Sequence, residues 1–373
     1  MRKIHICYFI GSLKIGGAQK HVVDLINNID HRKFEVFLVL AQNEQGFLDN
    51  LKLNSSNILV LNLRCYYDVS AFKGLIKFVM FLWKNDIDIL QSYLFECNVF
   101  GAICRIFKPR MKYIMSIRNM NYNHSKLRII SIHLASYFSN YVTAVSKKVR
   151  DYISKRERIN QKKIKVIYNS VDHEYFSNIH TQFNHNRHDK SNINIACVSS
   201  LNFRKGHEFL IEAFQLAIKQ SPMMKLYLIG DGKKRKKLKK MVSALGLQNQ
   251  IYFVGYILDV RKYLKHTDIF VLSSLEEGMS NALLEAMSMG IPAITTDVGG
   301  NSEVNINGKT GFVVPPRDSS ALAESLLILA SDRKLREKMG RNARQRIIEK
   351  FTIQRMIENY TEFYCRDVIK CTE

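Results

Sequence analysis

The chain has 373 residues, a length that is typical of two ordinary domains. Apolar residues make up 46% of the chain and charged residues 24%, which excludes both a disordered chain and a small disulfide-stapled fold. Lysine and arginine number 56 against 33 aspartate and glutamate, so the formal net charge is +23. Some surface must therefore attract anions, and nucleic acid, acidic lipid headgroups and phosphorylated small molecules all remain candidate partners.

The seven cysteines have neither a CxxC pair nor the spacing of zinc ligands, so we expect reduced thiols. The first residues lack the long apolar stretch of a signal peptide. The most apolar segment, residues 71–83, contains Lys73 and Lys77 and is shorter than the roughly 20 residues that span a bilayer. These features predict a cytoplasmic protein without a membrane span.

The first half of the chain alternates short apolar runs with helical patterns. Residues 4–10 predict a strand, Gly16 and Gly17 a loop, and residues 20–29 a helix. Further strands are predicted at residues 35–41, 58–63, 87–90, 113–117, 141–145 and 165–168. This alternation predicts an α/β domain with a mainly parallel sheet that is covered on both faces.

A polar segment, residues 177–191, is rich in asparagine and histidine and predicts a linker between a domain of residues 1–176 and a domain of residues 192–350. The second half repeats the alternation, with a strand at 194–198, a loop and a helix at 207–219. Later strands are predicted at residues 225–229, 251–254, 268–272, 292–296 and 311–314. Helical patterns follow to about Lys370, so two similar α/β units stand in tandem.

The most informative segment is residues 268–316, in which a strand is followed by a loop and a helix. Ser280 or Asn281 can cap that helix. Ligands bind at the carboxyl ends of parallel strands, and unpaired amides at the start of a helix favour a phosphate. Glu277 and Glu285 can then contact different hydroxyls of one extended ligand. If only the seven-residue gap between the two glutamates is considered, the simpler interpretation is that both are solvated surface residues.

The sequence EEGMSNALLEAMSMGIPAITTDVGG resembles the donor-site signature of the retaining glycosyltransferases of family 4. The similarity continues through IGGAQ, TAVSKKV, VIYNSVD, LNFRKG, LIGDG, FVGY and NGKTGFVVPPRD, in the family's order. It implies the GT-B fold, in which two Rossmann-like domains face each other across a cleft and the second binds most of a nucleotide-sugar donor. The C-terminal helix, residues 351–373, is then expected to return to the first domain.

The resemblance also implies a donor site. Glu285 matches the family's ribose-binding glutamate, and Glu277 matches the glutamate that contacts hydroxyls of the donor sugar. Lys205 matches the lysine that neutralises the diphosphate, where a fixed cation favours the transition state because charge develops on the leaving oxygens. Glu277 and Lys205 are the predicted catalytic residues. The backbone expected to wrap the sugar and the diphosphate belongs to Gly278, Met279, Ser280, Asn281 and Leu283.

The sequence departs from the family pattern at two places. Ser200 stands where the family has an arginine that is paired with its lysine, and Arg204 is the candidate for the second cation. Arg118 and Asn119 stand where many members have a histidine after a strand, and they become candidate acceptor-side residues.

Three further positions receive weaker predictions. Gly16 and Gly17 allow a ligand to approach the first strand-to-helix loop, which in the family borders the donor diphosphate, although a Gly-Gly pair alone more often marks a turn. Asp231 and Tyr256 end two strands of the second domain, where the family binds the nucleobase, and Tyr256 is assigned to the donor site.

Asp86 and Asp88 match the D-x-D metal motif of the other large glycosyltransferase fold. They lead directly into a predicted strand, and we interpret them as the ordinary entry to that strand. Because family members of this fold generally work without a bound metal, neither a metal nor a cofactor is expected.

The resemblance implies a retaining enzyme that transfers a hexose or an N-acetylhexosamine from a nucleotide sugar to a glycan or a lipid-linked glycan, in cell-surface polysaccharide synthesis. The family pattern offers no good nucleophile on the far face of the sugar, so front-face displacement is the favoured mechanism. Two alternatives remain. One is a sugar-nucleotide epimerase on the same fold, and the other is a basic nucleic-acid-binding protein, which lacks a recognisable motif.

Two basic segments, residues 147–165 and 232–240, are either solvated surfaces or contacts with anionic lipid. Residues 71–83 are either an interfacial helix or a covered core helix. Because many relatives act on lipid-linked or membrane-bound acceptors, we hypothesise a peripheral contact with the inner face of the cell membrane.

Overall fold

The structure is a computed structural model, and it describes residues 2–44, 46–120, 125–177 and 192–370. The chain divides into two compact units. Unit 1 consists of Met1–Asn169 and Ile353–Glu373, and unit 2 consists of Ser170–Thr352. Apart from Ser177, the predicted linker lies outside the described residues.

The division between the units falls before the predicted linker. Val171 donates a backbone hydrogen bond to the carbonyl oxygen of Phe351, at 2.9 Å. The guanidinium of Arg261 lies 3.5 Å from the ring centre of Tyr175. Residues 170–176 therefore belong with unit 2 because their partners lie far along the chain, where a local change of composition gives no signal.

Unit 1 contains a seven-stranded parallel sheet in the order β3-β2-β1-β4-β5-β6-β7. Its strands are β1 (Ile4–Ile10), β2 (Phe34–Leu40), β3 (Ile58–Val60), β4 (Ile89–Tyr93), β5 (Lys112–Ile117), β6 (Tyr141–Ala144) and β7 (Ile164–Val166). The helices between them are α1 (Gly17–Asn28), α2 (Val69–Lys84), α3 (Phe95–Phe107), α4 (Lys126–Phe138) and α5 (Lys147–Arg156).

Unit 2 contains a six-stranded parallel sheet in the order β10-β9-β8-β11-β12-β13. Its strands are β8 (Ile193–Val198), β9 (Met224–Ile229), β10 (Ile251–Gly255), β11 (Ile269–Leu272), β12 (Ala293–Thr296) and β13 (Gly311–Val314). Its helices are α6 (His207–Ile218), α7 (Arg235–Ala244), α8 (Arg261–Leu264), α9 (Asn281–Ser288), α10 (Asn301–Val304), α11 (Ser319–Ser331) and α12 (Arg333–Lys350).

The C-terminal helix α13 (Ile353–Glu362) continues as π-helical turns over Phe363–Ile369 and packs in unit 1. Its buried residues Met356, Tyr360 and Tyr364 join the core that contains β1 and α1. The predicted return of the C-terminal helix to the first domain is therefore confirmed.

Side chains that alternate along β1 show how the two faces of the unit 1 sheet are covered. The hydroxyl of Tyr8 lies 3.4 Å from that of Tyr364, on the face that α13 covers. The ring of Phe9 packs against Phe78 of α2 and Phe100 of α3, with centroids 4.8 and 5.7 Å away. Helices α2 and α3 thus cover one face, and α13 covers the other, as expected for a parallel sheet.

The α/β fold and every predicted strand are confirmed, with ends that shift by a few residues. Within the described part of the chain, no helix is both long enough and apolar enough to span a membrane. The cysteines of that part are all free thiols.

Candidate active site

The two predicted catalytic side chains form an ion pair in unit 2. Strands β8 and β11 are neighbours in the sheet, so the loops at their carboxyl ends lie side by side. The ammonium of Lys205, from the loop after β8, donates a hydrogen bond to Oε1 of Glu277, from the loop after β11. The two side chains are only 18% and 9% exposed, so the pair is largely screened from water. A ligand that reaches one of these groups must meet the other.

Two serines at the end of β11 hold this pair in place. Ser274 Oγ donates to the same Oε1 of Glu277 at 2.8 Å. Ser273 Oγ donates to the backbone oxygen of Lys205 at 3.0 Å. Both side-chain donors to Glu277 within the described residues, Lys205 and Ser274, thus converge on Oε1 and not on Oε2. Sequence analysis missed these serines, and the signal was small polar residues at the carboxyl end of a parallel strand.

Two glycines allow the loops to pack closely around the pair. Gly206 has φ +59°, and a Cβ there would come within 3.0 Å of the backbone oxygen of Ser273. Gly299 has φ +52°, and its Cβ would come within 3.0 Å of the carbonyl oxygens of Glu277 and Gly278. A side chain at either position would be strained and would also clash with backbone. The loop that carries Glu277 is therefore held from two sides.

Helix α9 begins directly after this loop. Ser280 is its N-cap, and Ser280 Oγ accepts a hydrogen bond from the amide of Leu283 at 3.4 Å. Met279 and Leu283 are buried, whereas Asn281 and Glu285 are half-buried. The positive end of the helix dipole and its first amides favour an anion at this end. The structure thus places the predicted wrapping residues and Glu285 on one continuous loop-helix element that begins at the ion pair.

The second predicted cation, Arg204, is exposed and lies near another carboxylate. Burial raises the pKa of Glu276, and the positive charge of Arg204 partly opposes that shift. The backbone oxygen of Arg204 accepts the amide of Leu275 at 2.7 Å, which ties the two loops together. Ser200 is exposed, and its Oγ accepts a hydrogen bond from Asn202 at 2.7 Å. That Arg204 replaces the family's arginine stays a prediction.

A neutral histidine lies beneath the lysine loop. His207 is fully buried, and its Nε2 lies 2.9 Å from Oγ of Ser199 at the end of β8. Burial lowers the pKa of His207 to about 4, and the positive charge of Lys205 acts in the same direction. The imidazole is therefore neutral at neutral pH, and it supports the loop without adding charge. Sequence analysis also missed this residue, which directly follows Gly206.

Tyr256 and Asp231 lie at the same edge of the unit 2 sheet but farther from the ion pair. Tyr256 follows β10 and is 57% exposed, and β10 is separated from β8 by β9. The backbone oxygen of Asp231 accepts the amide of Leu201 at 2.9 Å, which connects the loop after β9 with the loop after β8. The structure therefore does not bring Tyr256 against Lys205 or Glu277, and its role in base recognition stays a prediction.

The remaining predicted residues belong to unit 1. Gly16 is the N-cap of α1, Gly17 is its first residue, and the preceding Ile15 is exposed. Arg118 and Asn119 follow β5, and of these two only Asn119 is exposed.

The buried Arg118 contacts polar groups of unit 1. Its guanidinium donates to Oδ1 of Asn169, and burial lowers the pKa of Arg118. His21 Nε2 lies 3.0 Å from the hydroxyl of Tyr360. Burial lowers the pKa of His21, and the positive charge of Arg118 lowers it further, so that His21 stays neutral. Arg118 is thus held in the interior of unit 1, and an acceptor contact by its side chain stays a prediction.

A small pocket adjoins Arg118 and Asn119 in unit 1. Asn98 and Glu157 also line it, and burial raises the pKa of Glu157 to about 7. Leu94, another lining residue, has φ +72°, which is rare for a residue with a side chain. Sequence analysis missed Glu157 because no motif marks it.

The D-x-D sequence, Asp86 to Asp88, lies directly before β4, at the amino ends of the strands of the unit 1 sheet. Arg2 forms an ion pair with Asp86 at 2.7 Å, and Asp88 accepts the backbone amide of His5, near the start of β1, at 2.9 Å. These contacts match the interpretation as strand entry. Among the described residues, no cluster of three potential metal ligands is present.

Two successive parallel-sheet units, with a charged loop-helix element at the carboxyl edge of the second, have the architecture of the GT-B fold. The family descriptions "Glycosyltransferase Family 4" and "Glycosyl transferases group 1" match residues 15–175 and 178–346. The chain belongs to glycosyltransferase family 4.

Individual relatives extend this comparison. The chain is 25% identical over 307 residues to the capsular polysaccharide biosynthesis glycosyltransferase CapM of Staphylococcus aureus, covering 79% of this chain and 81% of the relative. It is 23% identical over 370 residues to the UDP-Gal:alpha-D-GlcNAc-diphosphoundecaprenol alpha-1,3-galactosyltransferase of Escherichia coli, covering 95% of each. Its fold matches that of Anabaena HepE, solved in complex with UDP, with a TM-score of 0.83 at 21% identity, over 96% of this chain and 99% of HepE.

Proposed function

We propose that the protein is a retaining glycosyltransferase that moves a hexose or an N-acetylhexosamine from a nucleotide sugar to a glycan or a lipid-linked glycan, in the synthesis of a cell-surface polysaccharide. The observation that carries this proposal is the largely buried pair of Lys205 and Glu277 beside the start of α9. A cation, an anion and a helix N-terminus together match a diphosphate joined to a sugar. The names of the S. aureus and E. coli relatives support the acceptor class.

Donor binding exchanges the partners of this ion pair. The Lys205 ammonium turns to a diphosphate oxygen, and the Glu277 carboxylate accepts hydrogen bonds from hydroxyls of the sugar. Glu285, in the second turn of α9, binds the ribose. Because each side chain gains a new hydrogen-bond partner as it loses the old one, neither buried group is left without a partner.

The chemical step follows from the same contacts. The bond between the anomeric carbon and the β-phosphate oxygen breaks, and a bond to the acceptor oxygen forms on the same face of the sugar. The proton of the acceptor hydroxyl passes to the departing phosphate. Lys205 and the first amides of α9 stabilise the negative charge that develops on the leaving group, and this preorganised stabilisation lowers the barrier. The step as proposed requires neither a metal nor a cofactor.

Thermal unfolding with UDP-, GDP- and ADP-sugars tests which nucleotide sugar the protein binds. We expect a UDP-sugar, because the E. coli relative is named for UDP-Gal and HepE was solved with UDP. A donor at about one hundred times its Kd should raise the free energy of unfolding by about 2.7 kcal/mol. Lys205→Ala should reduce this gain. The anomeric configuration of the product, measured by NMR, tests retention.

Several outcomes would contradict the proposal. They are stabilisation by none of these donors, a product of inverted configuration, or loss of activity on chelation that added metal restores. Epimerised donor in the absence of an acceptor would favour the alternative reaction. Tight RNA binding without donor turnover would favour the nucleic-acid-binding alternative.

A further inference from the structure

Three neighbouring helices of unit 1 leave many large apolar side chains exposed. More than half of the exposed large hydrophobic residues in the described part of the chain belong to α2, α3 and α4. We call this set the apolar face, and it consists of Val69, Phe72, Ile76, Met80 and Trp83 on α2, Ile103, Ile106 and Phe107 on α3, and Leu127, Ile130, Leu134, Tyr137 and Phe138 on α4. Monomeric soluble proteins rarely expose apolar patches of this extent without a binding role.

Helix α2 carries two apolar stripes. The inner stripe includes Phe78 and Leu82, which are fully buried. The outer stripe runs from Val69 to Trp83 in steps of three or four residues, so its side chains form one line about 20 Å long. Packing on the sheet explains only the inner stripe. The inner stripe confirms that residues 71–83 form a covered helix, and the exposed outer stripe leaves the interfacial role of the same helix as a prediction.

The helices form one continuous surface. Phe78 of α2 stacks near Phe100 of α3, with centroids 6.5 Å apart. At the outer ends of these helices, Trp83 Nε1 donates to the backbone oxygen of Phe107 at 3.2 Å. Helix α4 packs along the other side of α3. The exposed side chains therefore belong to three helices that pack side by side.

The helices of this face carry more cations than anions. The three helices carry six cations, Lys73, Lys77, Lys84, Arg105, Lys126 and Arg128. Their one acidic residue, Glu96, is paired with Arg128 at 2.6 Å. This charge complements an anionic surface, and it opposes the docking of a second copy, because like charges would then meet.

We propose that the apolar face of α2, α3 and α4 binds the surface of an anionic lipid bilayer. Apolar side chains enter the boundary between headgroups and acyl chains, lysine stems extend to the headgroups, and Trp83 and Tyr137 lie at the interface, where aromatic residues with a polar atom are favoured. This proposal rests on the proposed function for its purpose, since a lipid-linked acceptor is found at such a surface.

The two basic segments considered from the sequence differ from this face. Helix α7 begins inside the segment 232–240 and exposes Lys236, Lys239 and Lys240, but its large apolar residues, Leu238, Met241 and Val242, are buried or half-buried. Helix α5, in the other segment, also buries its valine and isoleucine. These helices attract anions by charge alone, whereas the apolar face combines charge with insertion. The apolar face should therefore dominate binding, and α7 supplies a control with matched charge.

Vesicle sedimentation tests the proposal with mixed phosphatidylglycerol and phosphatidylcholine vesicles and with pure phosphatidylcholine vesicles. The full-length protein should bind the mixed vesicles, less strongly as salt rises. Because Trp83 is the single tryptophan, its fluorescence should shift to shorter wavelength on binding. Replacing Phe72, Ile76 and Met80 with serine should weaken binding at least tenfold.

Matched variants separate insertion from charge. Replacing Leu216, Met223 and Ile328, which are exposed in unit 2, with serine should leave binding unchanged. Replacing Lys73, Lys77 and Lys84 with alanine should weaken binding by roughly fivefold for each lysine, and more than the same change at Lys236, Lys239 and Lys240. If the serine variant fails to fold, the two sets of lysine variants still show whether binding depends on this face or on α7.

Several results would overturn the proposal. They are no binding to mixed vesicles at low salt, an unchanged Trp83 spectrum, or equal binding by the serine variant and the wild type. Self-association that this variant abolishes, measured by sedimentation, would instead assign the face to a second copy. Donor stabilisation, measured on the same samples without vesicles, tests the proposed function separately, so either proposal can fail alone.

Discussion

The two units share one architecture, a parallel sheet between helices, but the carboxyl edges of their sheets differ. In unit 2, the loops after β8 and β11 bring Lys205 and Glu277 together as a largely buried ion pair. In unit 1, the loop after β5 directs Arg118 inward to Asn169. The same topology thus supports a largely buried ion pair in one unit and an interior polar contact in the other, because the loops and not the sheet determine the local chemistry.

The outer surfaces of the units differ as well. Helices α2, α3 and α4 of unit 1 expose lines of apolar residues, whereas the exposed apolar residues described in unit 2 are fewer and scattered over several elements. Unit 2 carries the predicted donor chemistry, and unit 1 carries the proposed attachment surface. Comparing equivalent substitutions in the two units tests this division of roles.

The largest effect is expected at the ion pair. Lys205→Ala and Glu277→Ala should each lower turnover by about 10²–10³-fold, because each removes a preorganised contact to a group whose charge or geometry changes in the transition state. Initial rates with a saturating donor measure this loss. Lys237→Ala, at a largely exposed lysine of unit 2, is the control and should retain activity. Full activity in either site variant, with an intact melting transition, would rule out the assigned role.

An intermediate effect is expected at Gly299. Gly299→Ala should be less stable than Gly308→Ala by about 1–3 kcal/mol, since both positions have positive φ but only a Cβ at 299 meets backbone, whereas the space at 308 is open within 4 Å. Urea unfolding of the two variants measures the difference. The Gly299 variant should also bind donor more weakly. Equal stability of the two variants would show that the Glu277 loop is not held by this close packing.

The smallest effect concerns pH and the buried His207. Its pKa is about 4 in the folded protein against an ordinary 6.5, so as the pH falls from 6.5 towards 4 the unfolded state binds a proton that the folded state does not. This linkage should lower the free energy of unfolding by up to roughly 1.4 kcal/mol per pH unit within that window.

Unfolding measured between pH 7 and pH 5 tests this linkage. His207→Gln should flatten the decline, and His31→Gln, at an exposed histidine of unit 1, should leave it unchanged. A decline of equal slope in the His207 variant and the wild type would assign the pH dependence to other groups, such as His21, whose pKa burial also lowers.

Much of this architecture follows from local sequence. Short continuous apolar runs between helical patterns predicted each strand, because a strand in a sheet that is covered on both faces is apolar along its whole length. The sequence also limited the cap of α9 to Ser280 or Asn281, and the structure assigns it to Ser280. These features depend on a few adjacent residues.

Contacts between distant residues could not be predicted in the same way. Lys205 and Glu277 are separated by 72 positions, and their pairing depends on the order of β8 and β11 in the sheet. The burial of Arg118 depends on Asn169, 51 positions away. For residues 71–83, the sequence left an interfacial helix and a covered core helix as alternatives, and only the packed structure shows which side chains of α2 stay exposed.

The return of α13 to unit 1 affects the order in which the protein can be completed during synthesis. The ribosome must translate all of Ser170–Thr352 before the core residues Met356, Tyr360 and Tyr364 exist, a delay of roughly ten to forty seconds at about 5–20 residues per second. Until then, β1 and α1 lack the helix that covers them. Unit 2 is therefore the first unit whose whole sequence emerges, and the unit that begins the chain is the last to close.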